Sequence, residues 1–228
     1  NIGAAARAMS NFGLSELRLV APREGWPHKR AWETASGGEA VIDAAKAYDS
    51  FGAAMEGIQL TYAATARPRD MVKRTLTPTE AMEEIAAAAH NQIAFVFGPE
   101  RTGLENEEIT LCDAIVTIPT APEHSSLNLA QSVVVLGHEW FKQGLENKKN
   151  SLTPDLRPLA SKSEWLGLFE QLDGYLDACG YYRVAHKKPV MWQNMQNMLL
   201  RGMWSSQEVR SFRGMLRILW EGRKPRRK

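Results

Sequence analysis

The chain predicts an α/β protein with a largely parallel sheet, followed by a small all-α unit. Three observations carry that reading. Short apolar runs of strand length alternate with helical stretches as far as residue 143, the pattern of βαβ units. One run, Ile93–Phe97 (IAFVF), is apolar throughout, as a strand covered on both faces should be. Beyond Pro158 no strand pattern remains, and apolar positions recur only at helical spacing.

In order, residues 3–12 (GAAARAMSNF) favour helix, and Gly13 stands where left-handed backbone ends one. Leu17–Val20 (LRLV) reads as a short strand stopped by Ala21-Pro22. A helix is expected over Gly38–Ala47 and a weaker one near Phe51–Met55. Leu60–Thr65 (LTYAAT) is strand-like and runs out into ARPRD. Thr77-Pro78-Thr79-Glu80 starts a helix with proline near its first position, and this alanine-rich helix extends to about His90. After the Ile93–Phe97 strand come a helix at Glu105–Leu111, a strand at Ala114–Ile118 and a long apolar helix at Ser126–Gln143. Gly144–Pro158 is polar with two prolines and reads as a linker. Lys162–Ala178 is an amphipathic helix, and Ser205-Ser206-Gln207-Glu208 is a capping-box start for another. The expected organisation is therefore an α/β domain over 1–145, a linker over 146–161 and a helical extension with a basic tail over 162–228.

Composition narrows the function classes. Apolar residues make up 44% and charged residues 24%, a balance that excludes bulk disorder. No apolar run approaches the ~20 residues of a membrane span, and no signal-peptide pattern is present, so a cytoplasmic protein with no membrane partner is expected. Cys112 and Cys179 lie far apart and read as buried thiols. The five histidines lack zinc spacing, so no metal is expected. Charge is uneven: residues 1–156 carry 14 basic and 20 acidic groups, residues 157–228 carry 14 and 6. An acidic body with a basic appendage points to a polyanionic partner. The chain starts at Asn1 without methionine, and an α/β domain of this kind calls for an apolar strand ahead of its first helix.

The chemistry concentrates in Phe95–Val135. FVFGPERTGLENEEI and IPTAPEHSSLNLAQSVVV each leave a strand for a loop rich in small and polar residues. Two such loops at the C-terminal ends of strands describe a pocket for a small polar cofactor. Neither G-x-G-x-x-G nor a P-loop is present, which argues against nicotinamide and nucleoside-triphosphate enzymes. His124-Ser125-Ser126 lacks the G-x-S-x-G elbow of a serine hydrolase.

Asn1-Ile2-Gly3…Arg7, Phe97-Gly98-x-Glu100-x-x-Gly103-Leu104 and Ile118-Pro119…Ser125-Ser126-Leu127-Asn128-Leu129-Ala130 together resemble the three motifs of the SPOUT superfamily of RNA methyltransferases. The match is to the TrmH/SpoU branch and, within it, to TrmJ-type tRNA ribose 2′-O-methyltransferases. HKKPVMWQNMQNMLLR and QEVRSFRGMLR resemble the helical C-terminal extension of those enzymes. The resemblance implies a SPOUT-type parallel sheet with a C-terminal trefoil knot, S-adenosyl-L-methionine as cofactor, a homodimer, and tRNA as partner, with a pyrimidine of the anticodon loop methylated. Ribosomal RNA as substrate, a non-catalytic RNA-binding protein of the same fold and a plain nucleotide-binding regulator are the competing readings.

Carried residue by residue, the resemblance places Arg7 near the reacting hydroxyl. A guanidinium stays protonated in proteins, so clamping a phosphate and stabilising a developing alkoxide suits it better than acting as base. Asn1 is expected to hold Arg7 or a neighbouring loop, or simply to cap a helix. Glu100, leaving a buried strand, is expected to meet Asn1, Arg7 or the sulfonium, or to pair with Arg101. Ser126 and Asn128 stand at a helix start, where free N–H groups suit a carboxylate or phosphate. Thr65, Ala66, Gly98, Ile118, Ser126 and Leu127 would line the cofactor pocket. For RNA, the candidates are Arg7, Arg67, Arg69, Lys73 and Arg74, with Lys187, Lys188, Arg210, Arg213 and Arg217 in the extension. The last three share one helix face. Trp192, Trp204 and Trp220 either stack on bases or fill the extension's core.

Overall fold

The computed structural model describes residues 1–66, 72–88, 91–124, 126–147 and 158–222, with only the main chain in 145–147. The chain runs α1 (Ile2–Asn11), β1 (Arg18–Val20), α2 (Lys29–Ala35), α3 (Glu39–Ala44), β2 (Lys46–Tyr48), α4 (Phe51–Ala54) and β3 (Leu60–Ala64). It continues through β4 (Thr75–Leu76), α5 (Pro78–Ala87), β5 (Ile93–Phe97), α6 (Asn106–Leu111), β6 (Ala114–Val116) and α7 (Leu129–Asn147). Helices α8 (Lys162–Ala178), α9 (Lys188–Leu200) and α10 (Ser206–Glu221) complete it.

Every strand pair is parallel, in a four-stranded sheet of order β4-β6-β3-β5 and a two-stranded sheet of β1 and β2. Alternation along the central strand β3 sorts the core into two layers. Leu60 and Tyr62 point to the side covered by Met82 and Ile85 of α5 and Leu136 of α7. Ala63 points to the other, with Ala54, Ile109 and Cys112 from around α4 and α6. Helices α1, α2 and α3 form a further cluster around Ala6, Ala31, Ala35 and Ile42. Here α1 and α2 touch so closely that a Cβ on Gly3 would lie 2.1 Å from the Ala31 carbonyl oxygen.

Four elements differ from expectation. Residues 46–48 leave the helix expected over Gly38–Ala47 and pair with β1 instead. Helix α2 and the two-residue strand β4 were not expected at all. The last helix of the α/β part starts at Leu129 rather than Ser126 and runs on into the expected linker. The capping box read at Ser205/Glu208 forms, and the helix start read at Thr77–Glu80 proves to carry one too, each hydroxyl accepting from the glutamate's amide and each carboxylate returning to the cap's N–H.

Helices α8–α10 share a core of Trp165, Leu168, Phe169, Leu199, Leu200 and Val209. This core is tied to the N-terminal edge of the main sheet. Lys162 of α8 donates to the Asp113 carboxylate at 2.6 Å, and both are nearly fully buried, at 4% and 6% exposure. Asp113 also accepts from the Thr61 amide and hydroxyl. Lys73, read as an RNA contact, turns inward: its ammonium donates to the Thr110 carbonyl and to Asn197 Oδ1 of α9, each at 2.7 Å. Arg74, read the same way, pairs with Glu84.

Burial pulls the Lys73 ammonium down to about 8, against 10.5 for a free lysine. Above pH 8 the folded protein therefore releases this proton before the unfolded chain does, and stability rises with pH. The buried Cys112 thiol acts oppositely. Burial pushes it up to about 12 from 9.0, so the unfolded chain ionises first and stability falls above pH 9. We expect melting temperature to climb between about pH 8 and 9. The climb should vanish in Lys73→Met, and its persistence there would place the titrating group elsewhere.

Candidate active site

Because β6, β3 and β5 are adjacent and parallel, their C-terminal ends emerge side by side. Ala64 is level with Phe97 on one side and Val116 on the other. Thr65-Ala66, Gly98 and Thr117-Ile118 therefore form one rim. The Thr65 amide donates to the Val116 carbonyl, and the Thr117 hydroxyl donates to the Thr65 carbonyl at 2.9 Å, which binds two of these loops together. Thr117 was not singled out from the sequence. Among the described residues, no hydrogen bond engages the main chain of Ala66, Ile118 or Leu127.

Gly98 has a packing reason to be glycine. A Cβ there would lie 2.2 Å from the Leu104 amide nitrogen and 2.3 Å from the Gly103 carbonyl carbon. The FGPERTGL loop thus folds back onto its own first residue, and this turn sends Glu100 outward beside the rim.

Asn128 is the hub of the site. It stands immediately before α7, where its Oδ1 accepts from the Ala130 amide at 2.9 Å, the contact of a helix cap. Its Nδ2 donates to Glu100 Oε1 at 2.7 Å and to Asn1 Oδ1 at 3.2 Å. Three residues from the three separate motifs thus meet at one side-chain amide. Asn1 occupies the cap position of α1, but its side chain makes no cap hydrogen bond. Its carbonyl oxygen is spent on Asn128, while its main-chain carbonyl accepts from Ala5.

Arg7 lies one and a half turns further along α1. Its guanidinium is exposed and has no hydrogen bond or ion pair among the described residues. Its main chain is held firmly, since a Cβ on Gly38 would fall 2.7 Å from the Arg7 Cα. Ser126 is exposed in the loop before α7 and Leu127 is half-buried. The structure brings Asn1, Glu100 and Asn128 into contact and places Ser126 and Leu127 directly before α7.

The RNA candidates divide. Arg67 and Arg69 lie outside the described residues. Lys188 is held by Asp173 and Asp177 and sits over the Tyr182 ring. Arg213 donates to Gln171 of α8, and its guanidinium lies against Gly167. Lys187, Arg210 and Arg217 are exposed and make no hydrogen bond or ion pair among the described residues.

Main-chain groups open along a parallel-sheet rim, beside a fixed carboxylate and a free guanidinium, make this a candidate site with the chemistry for a small polar cofactor and an anionic second substrate. Comparison with known proteins gives that class its family. A model of the SpoU rRNA methylase family matches residues 1–138. The tRNA (cytidine/uridine-2′-O-)-methyltransferase TrmJ of Sodalis glossinidius is 35% identical over 99% of this chain and 88% of its own length. The protein of the same name from Escherichia coli K12 is 34% identical over 95% and 88%. The crystal structure of TrmJ from Z. mobilis ZM4 superposes with a TM-score of 0.86 at 38% identity, covering 96% of this chain and 92% of that one. The chain belongs to the SpoU methylase family.

Proposed function

We propose that this protein transfers a methyl group from S-adenosyl-L-methionine to a ribose 2′-hydroxyl of tRNA, at a pyrimidine of the anticodon loop. The observation that carries the reading is the contact of Asn1, Glu100 and Asn128 beside the rim of β3, β5 and β6. Near-full-length relatives named tRNA (cytidine/uridine-2′-O-)-methyltransferases support the substrate.

The residues present fit the cofactor. The open main chain of Ala66, Ile118 and Leu127, with Thr65, Gly98 and Ser126 beside it, offers the N–H and C=O groups that an adenosine edge and an amino-acid carboxylate require. Bound there, the cofactor supplies a methyl that is already activated. The protein's task is then alignment, worth roughly 7–11 kcal/mol, and removal of the hydroxyl proton. Arg7 offers a permanent cation to the phosphate beside the target ribose and to its developing oxyanion. Glu100 is the member of the set with a basic lone pair, and Asn128 fixes its orientation, so we assign it the proton.

The same reading includes a knotted C-terminal end of the sheet, a cytoplasmic location and a homodimer. Support for the dimer comes from α7, where Val134, His138 and Phe141 share one exposed stripe, with 42% and 47% of Val134 and Phe141 open. Phe12 packs against His138 and Phe141 beside that stripe. Light scattering should give twice the chain mass, and a monomer at micromolar concentration would remove the dimer.

Ribosomal RNA is the second reading, favoured by the family's own description. Methyl-labelled cofactor offered with separate tRNA and ribosomal RNA transcripts distinguishes them. Label in tRNA that survives alkaline hydrolysis as a dinucleotide marks 2′-O-methylation, because alkali cleaves only through a free 2′-hydroxyl. Label in ribosomal RNA alone would replace the substrate. Cofactor and RNA binding without transfer would leave a non-catalytic RNA-binding protein.

A further inference from the structure

The tryptophans of the extension do not share one role. Trp192 and Trp204 pack into the core of α8–α10. Trp220, in the last turn of α10, does not. Its indole lies flat on the Tyr175 ring of α8, with centroids 4.7 Å apart and planes 9° from parallel, and 48% of the residue is open to solvent.

We propose that Trp220, backed by Tyr175, is a stacking platform for an unpaired base of the RNA substrate, with Arg217 on the adjacent phosphate and Arg210 further along the same strand. The proposal rests on the reading of this protein as an RNA methyltransferase. It adds a second contact region, away from the methyl-transfer rim.

Four features carry it. First, one face of the indole is already covered by a parallel ring, so its orientation is set before any ligand arrives, and a base completes a three-ring stack. Second, Arg210, Arg213, Arg217 and Trp220 recur at i, i+3, i+7 and i+10, one face of α10. Arg213 is spent on Gln171 and lies against Gly167, which leaves Arg217 exposed one turn before Trp220 and Arg210 exposed two turns further back. Third, the acidic residues flanking Tyr175 are engaged: Asp173 and Asp177 share Lys188, which offsets one of their two charges, and Asp173 also accepts from the Tyr182 hydroxyl. A polyanion approaching the platform does not meet two free carboxylates. Fourth, five of the six residues Arg223–Lys228, which follow Gly222 in the sequence, are basic. That charge favours a nucleic acid over a protein as occupant.

The position also separates the platform from catalysis. The extension is tied to the N-terminal edge of the sheet through Asp113 and Lys73, and the site lies at the C-terminal edge. Five strand residues put these edges ~16 Å apart. A contact at Trp220 therefore changes how tightly RNA is held, and not how the methyl donor is seated.

The test uses the full chain and an unmodified tRNA transcript in titrations followed by fluorescence anisotropy. Trp220→Ala should weaken tRNA binding roughly tenfold, the order expected for one stacked base. Trp220→Phe should keep most of the affinity. Trp220→Leu, which preserves apolar packing, should resemble Trp220→Ala, so a merely structural tryptophan is distinguished. Arg217→Ala should reduce the salt dependence by about one ion contact. The rise should appear in KM for tRNA and not in KM for the cofactor. Wild-type affinity in Trp220→Leu overturns the platform alone. A changed oligomeric state in that variant overturns it in favour of a protein contact. No tRNA binding by the wild-type chain overturns the methyltransferase reading together with it.

Discussion

Arg7→Ala should lose 100-fold or more in methyl transfer while melting within a degree or two of wild type. The structure separates these effects cleanly. The guanidinium is exposed and has no partner among the described residues, so its removal breaks no contact that holds the fold, and such surface changes stay within about 0.5 kcal/mol. Its proposed work begins only when RNA is bound, where one charged contact to a developing oxyanion contributes about 10²–10³ in rate. Arg7→Lys should recover little, because a compact ammonium lacks the planar fork that spans two oxygens. Asn128→Ala makes a useful contrast. It removes a cap on α7, costing about 1 kcal/mol, and frees Glu100 and Asn1 together, so stability and activity should fall in the same variant. Arg7→Ala with near-normal turnover would move the catalytic assignment off α1.

Asp113→Ala and Lys162→Met should each be strongly destabilising. One Asp113 oxygen accepts from the Thr61 amide, the Thr61 hydroxyl and the Lys162 ammonium, at 2.7, 3.0 and 2.6 Å. Removing either partner leaves a buried charge without its counter-ion, a loss of about 3–5 kcal/mol, or roughly 6–20 °C in melting temperature for a chain of this size. The pair's net worth is smaller than that. Replacing both by Leu and Met should recover much of the loss, since no buried charge then remains. Recovery stays incomplete because the Thr61 amide loses its acceptor at a cost of about 1–3 kcal/mol. Differential scanning fluorimetry reads all three variants. Single variants within two degrees of wild type would mean that the extension does not depend on this pair for its docking.

The parts of the fold that could be read from residues are those with a private signature. Ile93–Phe97 and Leu60–Ala64 are strands covered on both faces, so a sequence apolar throughout, or apolar but for Thr61, announces them. Lys46-Ala47-Tyr48 has no such signature, being mostly exposed, and becomes a strand only because Arg18–Val20 lies beside it. Helix α2 depends likewise on a contact from elsewhere, the close approach of Gly3. Within the site, Asn1, Glu100 and Asn128 stand out as motif residues, yet their meeting at one amide is a property of the folded chain. Asn1 illustrates the gap, for its position reads as a cap and its side chain serves Asn128. Buried charge was the least legible feature. Lys73 and Lys162 look like ordinary solvated lysines until the extension folds over them, and Arg213 looks free until Gly167 makes room for it.

The most direct measurement is nucleoside mass spectrometry with fragment mapping on unmodified tRNA transcripts incubated with the protein and S-adenosyl-L-methionine, beside the Arg7→Ala variant. We expect a 2′-O-methylated pyrimidine at a single anticodon-loop position, present with the wild-type chain and absent with the variant. Methylation on a base atom, or none on any tRNA while cofactor and tRNA both bind, would contradict the assignment of this site to ribose 2′-O-methylation of tRNA.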